Sequence, residues 1–175
     1  MFTQADLQDA DFRESDLRES VFDQCTLDGA MFSGANLRRA VFNRCKLDHA
    51  DFRGANLHNA TFSECALAHA QLGQAWLGMA TVSRCKLDHA SLAGAFFEAA
   101  TFTETSLLDV NADDTHWKHT TVLQCDFAQL TWARARMTRS AFIQSAMPGR
   151  SFVGLVLDGC QFSSADLSGA DFSGT

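Results

Sequence analysis

Residues 25–50 read CTLDGAMFSGANLRRAVFNRCKLDHA. Leu27, Phe32, Leu37, Phe42 and Leu47 stand five apart, each preceded two positions earlier by Cys25, Ala30, Ala35, Ala40 or Cys45. The same frame runs outward to both ends. Positions 2, 7, 12 and onward to 172 hold large apolar residues at 34 of 35 places, Ala112 being the exception. Multiples of five hold Ala, Ser, Cys or Thr at 31 of 35 places, the departures being Val110, Leu130, Arg150 and Leu155. Nine of the eleven glycines fall two residues after the large one, Gly29, Gly34 and Gly54 among them. A tight corner with positive φ suits glycine at that phase.

A period of five fits neither regular element. On an α-helix, five residues advance about 500°, so the large side chains would spiral around the axis. On a straight strand an odd step sends successive side chains to opposite faces. The chain must turn once per five residues to keep them all inside. The number of turns per coil follows from a longer period. Cys25, Cys45, Cys65, Cys85 and Cys125 are separated by 20 or a multiple of it, with Thr105 in the gap. His49, His69 and His89 step by 20, and RCKLDHA recurs at 44–50 and 84–90. Phe and Leu alternate from Phe2 to Leu67. A four-sided coil of 20 residues satisfies all of this, with Phe stacked on two opposite sides and Leu on the other two. Internal repeats of this kind make solenoids.

Stretches such as ADLQDADFRESDL, GANLRRAVF and SADLSGADFSG resemble the A(D/N)LXX pattern of the pentapeptide-repeat family. The resemblance spans essentially the whole chain. It implies an all-β fold, a right-handed parallel β-solenoid with four sides (a quadrilateral β-helix). Nearly nine coils at about 4.8 Å each give a rod roughly 42 Å long, without inserted loops. The expectation is a single domain over 1–175, regular through 1–107, less regular through 108–156, and regular again through 157–175.

Composition narrows the function. The chain has 175 residues and a formal charge of −7, with 15 Phe, no Tyr and one Pro. No apolar run is long enough to span a bilayer. The start, MFTQADLQDADF, is too polar and acidic for a secretory signal, so the expectation is a soluble, cytoplasmic protein without membrane contact. Residues 1–28 carry eight acids against Arg13 and Arg18, whereas 29–150 carry ten acids and twelve bases. No basic patch dominates, which disfavours direct nucleic-acid binding. No nucleophile–base constellation or phosphate-cradling loop is present, and a filled axis leaves no hollow for a substrate, so no enzyme activity and no cofactor are expected.

Several groups remain as candidates. The cysteines, Cys160 included, all take the small inward position and read as buried hydrophobes rather than as a redox or metal set. The three histidines should form an outward stack that reads as a solvated ladder. Asp114, His116 and His119 read as surface residues. Arg44, Glu64, Arg84 and Glu104 share one edge with alternating sign and read as a salt-bridge ladder. Trp76 and Phe96 lie 20 apart at outward positions and should stack. Leu123 and Ile143 do the same on another edge, and Leu108 also points outward. Val110, Leu130 and Arg150 occupy one corner of three consecutive coils, which must widen. These residues suggest an interaction surface for a protein partner.

Two functions are therefore expected. The first is a non-enzymatic rigid scaffold or protein-interaction module, with Trp76, Phe96, Leu108, Leu123, Ile143 and Arg150 as contact residues. Its open ends would allow a homodimer through the C-terminal coils. The second comes from the family resemblance. Fluoroquinolone-resistance members resemble a B-DNA rod and bind DNA gyrase through an acidic surface. Here that surface would be Asp6, Asp9, Asp11, Glu14, Asp16 and Glu19.

Overall fold

The structure is a computed structural model that describes all 175 residues. Each coil of 20 residues has four faces of five residues, numbered one to four along the chain. The first face of every coil carries a short strand: β1 (Phe2–Thr3), β2 (Val21–Asp23), β3 (Val41–Asn43), β4 (Thr61–Ser63) and β5 (Thr81–Ser83). The fourth face contributes β6 (Phe96–Glu98), β8 (His116–Lys118) and β10 (Arg136–Thr138) in its fifth to seventh coils only. Between them the first face continues with β7 (Thr101–Thr103), β9 (Thr121–Leu123), β11 (Ala141–Ile143) and β12 (Gln161–Ser163). This gives a nine-stranded sheet and a three-stranded sheet, both wholly parallel. Every pairing is offset by 20, as in Phe22 with Phe42 and Phe62 with Val82, so no loop interrupts the coil.

The axis is filled as the alternation requires. Phe2, Phe22, Phe42 and Phe62 stack on the first face with centroids 4.8–4.9 Å apart. Phe12, Phe32 and Phe52 stack on the third at 4.9–5.0 Å. The two columns meet edge to face, Phe42 on Phe52 at 5.9 Å and 87°, the arrangement aromatic quadrupoles favour. Leu27, Leu37, Leu47 and Leu57 fill the other two sides and are fully buried.

All 35 positions two after the large residue have positive φ, and 26 of them are not glycine; Arg39 has φ 59° and His49 φ 61°. An L-residue there costs roughly 1–2 kcal/mol. The strain is tolerated because most corners are held from the next coil, as where Arg39 N donates to His58 O and His49 N to Ala68 O. On the second and third faces the corner closes as a turn, for example Ala30 N to Leu27 O and Ala35 N to Phe32 O. The fourth face does so in its first four coils, ending with Ala80 N to Leu77 O, and again with Cys160 N to Leu157 O. Between those coils it becomes the flat three-stranded sheet. Consecutive aromatic or imidazole side chains at Phe96–Phe97 and His116–Trp117 favour extended backbone there.

Ala112 has a structural cause. Trp117, fully buried on the adjacent face, stacks on Phe97 at 4.4 Å. Its indole NH donates to Thr115 Oγ1 at 2.8 Å, and that hydroxyl donates to Ala112 O at 2.5 Å. The one small residue in the large series thus sits beside an oversized neighbour.

The corner of Val110, Leu130 and Arg150 opens, as its side chains require. The third-face bridges run from Asp11 with Met31 through Asn111 with Thr131, skip Thr131 with Ser151, and resume at Ser151 with Asp171. Around the gap, Phe127 N to Ala146 O and Leu130 N to Phe127 O lengthen to 3.4 and 3.3 Å. Ser151 O accepts instead from the Trp132 indole NH at 2.7 Å. Arg150 lies half-buried in this seam, and its Nε is buried without an acceptor.

Candidate protein-interaction site

Trp76, Met79, Phe96 and Val156 are 55, 54, 45 and 46% exposed, and all lie on the fourth face. Trp76, Phe96 and Val156 line a groove of about 460 Å³ whose floor is the three-stranded sheet, and Met79 lies outside its lining. One row of outward positions runs Trp76, Phe96, His116, Arg136, Val156 along the rod, each paired in register with the next. The opposite rim is Glu98 and Lys118, bonded at 2.7 Å.

Trp76 and Phe96 are neighbours in register, but their rings do not stack on each other as expected. Phe96 stacks on His116 at 4.9 Å. The Trp76 indole folds back over Gly78. A Cβ at Gly78 would stand 2.7 Å from Trp76 Nε1 and 2.9 Å from His58 Nδ1. Gly78 is one of the two glycines outside the corner phase, and it leaves the space that the indole occupies. The Trp76 wall is thus fixed by a second residue.

The other contact candidates do not join this surface. Leu123 and Ile143 pair on the first face, Leu108 lies on the second, and all three are half-buried. Arg150 belongs to the third-face seam, beside a separate hollow of about 410 Å³. A 20-residue period sets which face a residue takes, and these fall on different ones. Among the groove residues that the sequence reading left out are His116, assigned there to a bland surface, Arg136 and Val156. The signal available was the column 76, 96, 116, 136, 156.

The acidic candidates are spread around the first coil. Asp6 lies on the second face, Asp11 on the third and Asp16 on the fourth, while Asp9, Glu14 and Glu19 hold the corners between. Asp11 pairs with Arg13 at 2.7 Å, Asp16 with Arg18 at 2.6 Å and Glu19 with Arg39 at 3.1 Å. Three of the six acids are therefore neutralised locally.

The histidines stack at 4.8 and 5.0 Å, with ring planes within 4° and 11°, and His89 Nδ1 meets Asp109 at 3.0 Å. No three metal-ligating side chains converge anywhere in the chain. In the edge ladder Arg84 reaches both Glu64 and Glu104, while Arg44 turns to Asp23 at 3.2 Å. The thiols are all free, and five of the six are buried. Cys45 and Cys65 donate to carbonyls of the preceding coil, Phe22 O and Phe42 O, and Thr105 does the same to Val82 O. Burial pushes Cys125 up to about 11. Within the Cys45–Cys65–Cys85 column, bonding between thiols raises Cys45 and lowers Cys85.

A parallel solenoid with a filled axis defines the class. The family profile described as "Pentapeptide repeat region" matches residues 1–72, and that described as "Pentapeptide repeats (8 copies)" matches 83–116 and 149–175. The chain belongs to the pentapeptide-repeat family. The internal stretches between those matches, 73–82 and 117–148, contain Trp76 and Arg136 of the groove. Among solved structures it is similar to full-length QnrB1, a plasmid-mediated fluoroquinolone resistance protein. The two share 16% identity over 99% of this chain and 89% of that one, with a TM-score of 0.56. It is also similar to HetL, a protein involved in heterocyst differentiation regulation from the cyanobacterium Nostoc sp. strain PCC 7120. That match has 20% identity over 99% of this chain and 83% of that one, and a TM-score of 0.46. No curated protein matches the sequence.

Proposed function

We propose that this protein is a non-enzymatic, rigid protein-interaction module that docks its partner on the fourth face. The observation that carries this reading is one groove with the exposed rings of Trp76 and Phe96, neighbours in register, at one end and exposed Val156 at the other. Contiguous outward apolar side chains of this kind mark binding surfaces, whereas isolated ones do not. Gly78 supports it further, since it leaves room for the Trp76 ring, which stays exposed to solvent. An ordered aromatic wall costs a partner little conformational entropy to engage.

The test is a pull-down with immobilised protein. Wild type should retain a discrete partner that the Trp76→Ala, Phe96→Ala double variant loses. A Lys46→Ala control on the opposite face should keep it. Equal retention by the double variant would remove the fourth face from the function.

The alternative is a DNA-mimicking rod that binds DNA gyrase, supported by the net charge of −7 and the slender shape. The ion pairs on Asp11, Asp16 and Glu19 weigh against it, as does the circumferential spread of the acids. A gyrase supercoiling assay, with and without a fluoroquinolone, decides it. Inhibition or drug protection at micromolar protein would place this reading first.

A further inference from the structure

The fourth-face groove has two chemically different halves. Its N-terminal half is aromatic, with Trp76 and the Phe96 ring. Its C-terminal half is cationic. Arg136 is exposed and has no carboxylate within 4.0 Å. The nearby Asp114 is already taken by Arg134 through two bonds, at 2.7 and 2.6 Å. The groove's own acid, Glu98, is neutralised by Lys118 at 2.7 Å, whose ammonium holds that carboxyl below its usual range. In a chain of net charge −7, the groove therefore offers one free guanidinium and no free carboxylate.

The dimensions restrict what fits. The row from Trp76 to Val156 spans four inter-coil steps, about 19 Å, the reach of roughly six extended residues. A hollow of about 460 Å³ lined by aromatic rings accommodates a planar side chain, the kind of anchor that dominates interface energetics.

We propose, resting on the interaction-module reading above, that the occupant is an extended acidic segment of a partner protein, with an aromatic side chain seated against Trp76 and Phe96 and a carboxylate further along the segment on Arg136. The guanidinium supplies a planar fork for the carboxylate. Phe96 and its stacked partner His116 form the continuous surface between the two subsites.

The experiment is fluorescence anisotropy with a labelled decapeptide carrying one Phe flanked by Asp and Glu in a Gly/Ser background. Saturable binding is expected. Arg136→Gln, or a peptide with Asn and Gln in place of its acids, should each weaken it about tenfold. Replacing the peptide's Phe by Ala should weaken it at least as much. Arg136 is exposed, so its replacement leaves the core intact, and circular dichroism checks this. No saturable binding up to about 1 mM, or binding indifferent to Arg136→Gln, overturns the inference. If the pull-down depends on Trp76 and Phe96 while the peptides fail, the docking face stands and only its acidic–aromatic specificity falls. If the pull-down ignores both residues, the two readings fall together.

Discussion

Asp11 accepts from Arg13 through both carboxylate oxygens, at 2.9 and 2.7 Å, and also from the Arg13 backbone NH at 3.1 Å. These bonds favour the ionised carboxyl and hold it at about 2. A lowered folded-state value means that the pair's contribution is complete above the ordinary carboxylate range. It is lost as pH falls through about 2. An NMR titration should give that midpoint for Asp11, and Arg13→Gln should move it upward. A wild-type midpoint near the usual aspartate value would show that the pair does not form in solution. Ala112 supports a second prediction at this scale. Its small volume is matched to the buried Trp117 indole, so Ala112→Leu should overpack the axis. A loss of roughly 1–3 kcal/mol in denaturant unfolding is expected. Neutral behaviour would mean that Trp117 leaves space beside it.

The seam on the third face is the one element whose ladder fails. Arg150 stands where most coils carry Ala, Ser, Cys or Thr, and its buried Nε lacks an acceptor. A buried unpaired polar or charged atom costs more than a small apolar replacement. Arg150→Ala should therefore raise stability by about 1 kcal/mol, visible as a higher melting temperature. A fall in melting temperature would show that the aliphatic stem of Arg150 packs the seam usefully. The fourth-face sheet is the complementary case. There the turn gives way to extended backbone without losing register, and the result is a flat floor flanked by Trp76 and Val156.

At the scale of the rod, each coil is stabilised by its neighbours. Phe172 is 37% exposed while stacking on Phe152 at 4.4 Å, and Leu167 is half-buried. The first coils are more strongly acidic and would repel a second copy. We propose that two copies meet through their C-terminal coils. Light scattering at micromolar concentration should then report a dimer, and Phe172→Asp should return it to a monomer. A wild-type monomer under those conditions removes the proposal.

Sequence periodicity alone determined the solenoid, the four faces, the 20-residue coil and the identity of the buried columns. The reason is physical: a five-residue period has a single way to keep every large side chain inside, and a 20-residue period stacks like on like. The widened corner was legible too, because Val110, Leu130 and Arg150 are too large for their places. The tertiary structure decided how the outward residues group and how their side chains lie. Phe96 has register neighbours on both sides and stacks on His116, while the Trp76 indole lies over Gly78, where a glycine leaves room two positions on. Leu108, Leu123 and Ile143 were separated from them by the coil's own corners. Arg136 became the groove's free charge because Arg134 had taken Asp114 and Lys118 had taken Glu98. Linear spacing places residues on a face, but side-chain direction and the competition among neighbouring charges are settled only when the coils are stacked.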